Sequence, residues 1–370
     1  MGAAPRLSLG RGRRAARIAP SLVVAWTAAA YVAARVSGVA GPDGPEPWPT
    51  TLARSFVIGA VVGVVAAWLE TGPLARAGRR LPLGAALALR TVTYAGLVAL
   101  GVGAIVAVVS RVEFGVTPAE MVRRPEFQAF LRGADVWVLV GLLVIASFGI
   151  NLGLQLRRVL GPETLLALLV GRYRRPVKEE RAFVFLDLTD STAWAERLGP
   201  LAFTDFKNDF FADVAEPVLA TGGRIVQYVG DEVMVAWPMK RAERDAAPIR
   251  FVFLVEDRVA ARADQYRRRY GDVPRFKAGA HGGEVVTAEV GDLKRDIVHS
   301  GDVVNTAARI EGECRPRGER LLVSEALLAQ MPLPPDVACH AETLGALPLR
   351  GKAAPVGVAA VRRGETRLAA

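Results

Sequence analysis

Two carboxylates stand at the ends of apolar, strand-like runs in the C-terminal half of the chain. Asp187 ends the run Phe183-Val-Phe-Leu-Asp, and Asp231 follows Gly230 between two runs that contain several valines. Carboxylate oxygens are ligands that hard divalent cations prefer, and two of them on neighbouring strand ends could form a two-metal site for phosphoryl chemistry. Either residue alone is explained equally well as a cap or a turn residue, so the pair is the informative feature.

A second set of polar residues lies in a segment that predicts a helix opening at Asp302. Asn305 and Arg309 are four residues apart in this segment, so a helix places an amide and a guanidinium on the same face. Such a pair can orient a ribose and neutralise charge on a transferring phosphoryl group. The simpler alternative is that both side chains merely face solvent.

Taken in their order along the chain, these elements resemble the catalytic domain of the class III nucleotide cyclases. The resemblance implies that Asp187 and Asp231 bind two Mg²⁺ or Mn²⁺ ions in each active site, assisted by the backbone carbonyl of Leu188. Asn305 and Arg309 match the family's transition-state residues. In this family the metal aspartates and the Asn/Arg pair of one site come from different protomers, so the resemblance also implies a homodimer.

The resemblance further assigns residues to the substrate. Lys352, in Arg350-Gly-Lys, matches a lysine that contacts the terminal phosphates. The other positions expected to contact the nucleotide are Thr189, Asp190, Ser191, Thr192, Gln227, Gly230, Val298 and His299. The implied reaction is attack of the ribose 3′-oxygen on the α-phosphorus of a nucleoside triphosphate, which yields a 3′,5′-cyclic monophosphate and pyrophosphate.

The base-selecting positions depart from the family pattern. Members that use ATP commonly have a lysine four residues before the second metal aspartate and members that use GTP a glutamate, whereas this chain has Gln227, whose amide both donates and accepts. Val298, beside His299, stands where Asp, Thr or Ser is usual for ATP. We expect ATP, because the stretch Gln-Tyr-Val-Gly-Asp resembles bacterial membrane adenylate cyclases. A guanylate cyclase of the same fold and a non-catalytic nucleotide-binding membrane receptor are the alternatives.

Four apolar, nearly uncharged stretches in the N-terminal half predict transmembrane helices. Their predicted limits are residues 18–37, 51–69, 87–110 and 135–156. The expected architecture is an all-α four-helix transmembrane domain (1–156), a coupling helix and linker (157–180), and a C-terminal α/β (α+β) cyclase domain (181–370). That domain is expected to have a mixed, largely antiparallel sheet flanked by helices.

The net charge of +10 is unevenly distributed. Residues 1–178 hold 21 basic and 8 acidic side chains (+13), and residues 179–370 hold 26 and 29 (−3). The excess therefore belongs to the apolar half, which argues against a nucleic-acid partner. Arginines before the first stretch, after the second (Arg76, Arg79 and Arg80) and after the fourth predict a cytoplasmic N-terminus and catalytic domain at a bacterial inner membrane. The lipid bilayer is thus an expected partner, and an unidentified membrane ligand or regulator is a further candidate.

Overall fold

The computed structural model describes residues 4–36, 47–72, 74, 81–112, 115–293, 295–335, 337–352 and 354–364. The loop arginines Arg76, Arg79 and Arg80 lie outside these ranges. The chain divides into two compact units, Met1–Leu166 and Ala167–Ala370.

The first unit is helical within its described ranges. Its helices are α1 (Ala4–Val36), α2 (Trp48–Thr71), α3 (Leu83–Val112), α4 (Pro118–Arg123), α5 (Pro125–Arg132) and α6 (Ala134–Leu160), and α7 (Pro162–Val170) follows. The segments Ile18–Arg35, Trp48–Thr71 and Val140–Arg157 are long and apolar enough to cross a membrane. The predicted third span falls in α3, whose described apolar stretch, Gly84–Leu100, is shorter. Three of the four predicted spans therefore meet the length and composition criteria.

Helices α1 and α2 pack with their backbones close together. A Cβ atom at Gly63 would lie 2.6 Å from the backbone nitrogen of Val23, and one at Gly59 would collide with Thr27. Glycine at these positions permits the close approach on which helix packing in membranes depends. Between α2 and α3, the buried Glu70 pairs with Arg90 at 3.0 Å and accepts a hydrogen bond of 2.8 Å from the Tyr94 hydroxyl.

The second unit is built on a mixed sheet. Its strands are β1 (Val177–Leu188), β2 (Arg224–Val229), β3 (Glu232–Pro238), β4 (Phe276–Val290), β5 (Asp296–Ser300), β6 (Leu321–Ser324), β7 (Cys339–Leu347) and β8 (Val356–Arg363). The order is β2-β3-β1-β4-β6-β8-β7, and β5 pairs with β4. The β4–β6 pair is parallel and the other pairings among the described strands are antiparallel. The expected mixed, largely antiparallel sheet is confirmed.

Helices cover both faces of the central strands. They are α8 (Ser191–Thr221), α9 (Met239–Asp245), α10 (Ala247–Ala261), α11 (Ala263–Tyr270), α12 (Asp302–Gly312), α13 (Cys314–Arg317) and α14 (Glu325–Gln330). Val184 and Leu186 of β1 belong to the main core with α8 and α10, whereas Phe183 and Phe185 pack in a second cluster with Ala307 of α12. Because side chains alternate along a strand, Asp187 continues the Phe183/Phe185 face. The strand therefore directs Asp187 towards the side covered by α12.

Strand β4 is longer than its sequence pattern predicts. The segments 276–280 and 284–290 read as two strands, but β4 runs through both without interruption. Gly282 lies inside this strand. A Cβ atom there would lie 2.6 Å from the side chain of Met239 and 2.9 Å from that of Leu327, so glycine leaves room for both. The glycine serves close packing rather than a turn.

Candidate active site

A row of charged side chains crosses three central strands. Asp187 of β1 stands opposite Glu232 of β3 and opposite Lys277 of β4 in the sheet register. Directly paired residues share a face of the sheet, so these three side chains are neighbours. Asp231 precedes Glu232 after the tight turn at Gly230, where φ is +64° and glycine is favoured. The hairpin therefore brings the second predicted metal ligand to the first.

Lys277 links this row to Glu311 of α12, and sequence reasoning missed both residues. The Lys277 ammonium donates a hydrogen bond of 2.9 Å to Asp187 Oδ2 and also pairs with the Glu311 carboxylate of α12. A Cβ atom at Gly279 would collide with the backbone of Glu311, so glycine lets α12 approach β4 closely enough for this contact. The side chains of Lys277, Asp187 and Glu311 are 15%, 22% and 8% exposed, so the contacts are largely shielded from water.

Burial and mutual repulsion raise the pKa values of the carboxyl groups in this cluster. Burial, together with the charge of Asp231, raises the pKa of Asp187 despite the opposing Lys277. Burial, then the charges of Glu311 and Asp187, raise the pKa of Glu232 to about 7. Burial also raises the pKa of Glu311 against the influence of Lys277. The cluster holds more negative charge than one lysine compensates, which favours the arrival of cations.

The donor set fits a divalent cation that completes its coordination with substrate. Among the residues that the structure describes, no three His, Cys, Asp or Glu side chains form a group that could hold a metal ion by themselves. Mg²⁺ usually binds through one or two carboxylates together with waters and substrate phosphates. Asp187 and Asp231, with the backbone carbonyl of Leu188, provide this kind of incomplete shell.

A cavity of about 410 Å³ opens beside Asp187. Its lining includes the predicted metal ligand Leu188 and the predicted substrate residues Thr189, Asp190, Ser191 and Thr192, together with Lys277 and Arg315. Asp190 has a left-handed backbone (φ 57°, ψ 37°) directly before the first residue of α8. Arg315, which sequence reasoning missed, donates a hydrogen bond of 3.3 Å to the Asp190 carboxylate. The backbone amides at the start of α8 and the Arg315 guanidinium suit this cavity for phosphate groups.

The second group of predicted residues gathers around α12 and the loop before β8. Lys352 forms an ion pair with Asp302, and this contact lowers the pKa of Asp302. Gly351 has φ +72° and lies against the Arg309 guanidinium, which a Cβ atom would approach to 3.3 Å. Arg309 Nη1 is buried without a hydrogen-bond partner among the described residues. A guanidinium nitrogen that is buried without a partner is unfavourable and would gain from a hydrogen-bond acceptor. Asn305, one turn earlier on α12, is exposed.

Glu311 and Arg309 project from different sides of α12. Successive helical residues are about 100° apart, so Glu311 projects about 200° away from Arg309. None of the hydrogen bonds or ion pairs that the structure gives for the described residues connects the Asp187 cluster with Arg309 or Lys352. The predicted site residues and their contacts thus form two separate groups, which we name the Asp187 half-site (Asp187, Asp231, Lys277 and Glu311) and the Arg309 half-site (Asn305, Arg309 and Lys352).

The residues predicted to contact the base differ in their exposure. Gln227 is exposed on β2, next to a register shift in its pairing with β3. Val298 and His299 point to opposite faces of β5: Val298 is 40% exposed, whereas His299 is buried and its Nδ1 lies 2.8 Å from the Thr287 hydroxyl. Burial lowers the pKa of His299 to about 4. Only one of these two neighbours can face a ligand on a given side of the strand, and a base contact by His299 stays a prediction.

Comparison with known proteins finds cyclases among the relatives of this chain. Residues 175–358 match the adenylate and guanylate cyclase catalytic domain. Adenylate cyclase 2 of Rhizobium meliloti is 44% identical over 211 residues, which are 57% of this chain and 58% of that protein. Adenylate cyclase 1 of the same organism is 30% identical over 158 residues, which are 41% of this chain and 24% of that protein. The crystal structure of the adenylyl cyclase CyaB from P. aeruginosa aligns with 52% of this chain and 99% of its own at 22% identity and a TM-score of 0.45.

The chain therefore spans at most 58% of the length of these two relatives. The matched segment covers the strands and helices that carry both half-sites. Through this C-terminal unit the chain belongs to the class III adenylate and guanylate cyclase family.

Proposed function

We propose that the chain is an integral-membrane adenylate cyclase that converts ATP to 3′,5′-cyclic AMP and pyrophosphate at sites shared between two copies. The main support for the proposal comes from two residues of α12. Glu311 contacts the carboxylate cluster of its own chain through Lys277, whereas Arg309 projects from another side of the helix and has a guanidinium nitrogen without a partner among the described residues. An Arg309 that serves the carboxylates of a second copy would complete the site. The expected assembly is accordingly a homodimer.

In this proposal Asp187, Asp231 and the Leu188 carbonyl hold two Mg²⁺ or Mn²⁺ ions. When bound, such cations lower the pKa of the ribose 3′-hydroxyl and stabilise the leaving pyrophosphate. The amides at the start of α8 and Arg315 bind phosphate oxygens on one side. From the second copy, Lys352 binds the terminal phosphates, Asn305 orients the ribose and Arg309 neutralises charge that develops at the α-phosphorus.

Two features support ATP as the substrate. The most extensive relative reported above, with 44% identity, is named an adenylate cyclase. Gln227 carries no negative charge of the kind that GTP-using members place at this position, and its amide can donate to and accept from an adenine edge. The same amide could also read guanine, so the base is a point for experiment.

We also propose that the apolar helices of the first unit lie in the inner membrane, with the N-terminus and the catalytic unit in the cytoplasm. Three helices of suitable length and composition and the arginine-rich flanks of the predicted spans support this placement. A ligand or regulator recognised in the membrane would act through this unit.

The test is product formation by the purified full-length chain in detergent, with Mn²⁺ and either ATP or GTP. We expect cyclic AMP from ATP and much slower formation of cyclic GMP. Cyclic GMP as the main product would assign the guanylate alternative. Nucleotide binding without either product would indicate a receptor. Loss of product in Asp187→Ala, but not in the variant Asp264→Asn at an exposed position, would show that the product arises at this site.

A further inference from the structure

Lys277 occupies a central place between two carboxylates that belong to different elements. It extends from β4, donates to Asp187 Oδ2 of β1 at 2.9 Å and pairs with Glu311 of α12. Of the three side chains, Glu311 is the most buried, at 8% exposure. A carboxylate so far from water needs a compensating cation, and Lys277 is the cation that contacts it.

Without Lys277 the same surroundings would form a stronger cation site. Glu311 and Asp187 bind the same ammonium nitrogen, so both carboxylates are directed at one point. Asp231 and Glu232 add their charges to the Asp187 cluster. A divalent cation at that point could take oxygens from Glu311 as well as from the aspartates. The added carboxylate would make the cation less dependent on phosphate oxygens.

We propose that Lys277 is a positioning residue that keeps Glu311 out of the coordination shell of the cations at Asp187, so that tight metal binding requires the phosphates of the nucleotide. The inference rests on the proposed function, because it takes Asp187 and Asp231 as the metal ligands. Gly279 supports the arrangement, since the absence of a Cβ atom lets α12 approach β4 closely enough for Glu311 to reach the lysine. The consequence is a site that stays nearly free of metal until substrate arrives.

The test is a Mn²⁺ titration of the full-length chain without nucleotide, in which the electron paramagnetic resonance signal of free Mn²⁺ reports binding. Lys277→Met should bind Mn²⁺ about tenfold more tightly than the wild type, a change within the range of coupling between neighbouring charged residues. The double variant Lys277→Met/Glu311→Gln should return close to the wild-type affinity, because the added ligand is gone. Adding ATP should tighten Mn²⁺ binding strongly in the wild type and only weakly in Lys277→Met.

The cross-strand pair Lys178–Glu284 provides matched controls. These residues lie on the same strands β1 and β4 and contact each other at 2.9 Å, but their side chains are 73% and 60% exposed. Lys178→Met and Glu284→Gln make the same changes of charge and should leave Mn²⁺ affinity within twofold of the wild type. An effect of the same size in these variants would overturn the inference, because a general change of charge would then explain it.

Mn²⁺ affinity that is unchanged or weaker in Lys277→Met also overturns the inference. If Lys277→Met does not fold, the Glu311→Gln variant tests the inference instead. In Glu311→Gln, Asp187 is the remaining carboxylate partner of Lys277, so Mn²⁺ should bind more weakly than in the wild type. Equal or tighter Mn²⁺ binding in Glu311→Gln would overturn the inference. The metal titration needs no catalysis. A wild-type chain that binds Mn²⁺ but makes no cyclic nucleotide would therefore contradict the proposed function and leave the role of Lys277 to be judged by the titration.

Discussion

Arg309 and Glu311 are separated by one residue on α12, yet their side chains contact different parts of the catalytic unit. Glu311 pairs with Lys277 in the buried carboxylate cluster, whereas Arg309 lies against the loop at Gly351 with one guanidinium nitrogen unpartnered among the described residues. A single short helix therefore links the two half-sites of one chain. A shift of α12 would alter both at once.

Arg309→Ala should reduce kcat by about 100- to 1000-fold with little change in KM for ATP. The physical reason is that this guanidinium is expected to meet charge that appears in the transition state rather than in bound ATP. Initial rates over a range of ATP concentrations provide the measurement. Arg267→Ala is the control, because Arg267 pairs with Asp264 on an exposed face of α11. A rise in KM at constant kcat would assign Arg309 to ground-state binding instead.

Gly279→Val should destabilise the catalytic unit and lower its activity. The added side chain must displace the backbone of α12 at Glu311, and overpacking of this kind costs about 1–3 kcal/mol. Thermal unfolding monitored by circular dichroism measures the loss. Gly312→Ala lies at the end of the same helix with nothing within 4 Å of the new methyl group, so its melting temperature should stay near that of the wild type. Equal melting temperatures for both variants would contradict the close packing of α12 on β4.

Gly63→Leu should separate helices α1 and α2. A side chain at this position meets the backbone of Val23 and Leu22, which cannot move aside as the end of a flexible side chain could. We expect a lower melting temperature and more aggregation of the full-length chain in detergent, measured by size-exclusion chromatography after heating. Gly96→Leu on α3, where no atom lies within 4 Å of the added Cβ, is the matched control. The packing is refuted if both variants behave alike.

Glu232→Gln should stabilise the metal-free chain at alkaline pH. Burial and neighbouring carboxylates raise the pKa of Glu232 from 4.5 to about 7, so the folded state prefers the protonated form. Its contribution to stability is complete below pH 4.5 and is lost as the pH rises through about 7. The melting temperature of Glu232→Gln should therefore exceed that of the wild type at pH 8, and the difference should shrink as the pH falls towards 4.5. Glu284→Gln serves as the exposed control, and a difference that does not vary with pH would contradict the raised pKa.

The sequence indicated those parts of the site that local patterns encode. Asp187 at the end of an apolar run and Asn305 and Arg309 at helical spacing are visible without knowledge of the fold. Lys277 and Glu311 were missed because their roles depend on the register of β4 against β1 and on the crossing of α12, and both are contacts between residues distant in sequence. No composition or spacing distinguishes Arg315 among the chain's many arginines.

Local sequence patterns also misplace the bounds of one strand, β4. Gly282 and its neighbour Gly283 read as a break because glycine is common in turns, but the need for space against Met239 and Leu327 explains Gly282 inside a continuous strand. The resemblance alone places His299 near the substrate. Alternation along the short strand β5 instead puts its side chain on the buried face, opposite to Val298.

If two copies share their sites as we propose, each active site takes its metal aspartates from one chain and its arginine from another. The most direct test mixes full-length Asp187→Ala and Arg309→Ala chains, each inactive by itself, under conditions in which dimers are shown to form. We expect the mixture to form cyclic AMP at about one quarter of the wild-type rate, because half of the random dimers are mixed and each mixed dimer holds one intact site of two. Mixed dimers that remain as inactive as the separate variants would contradict it.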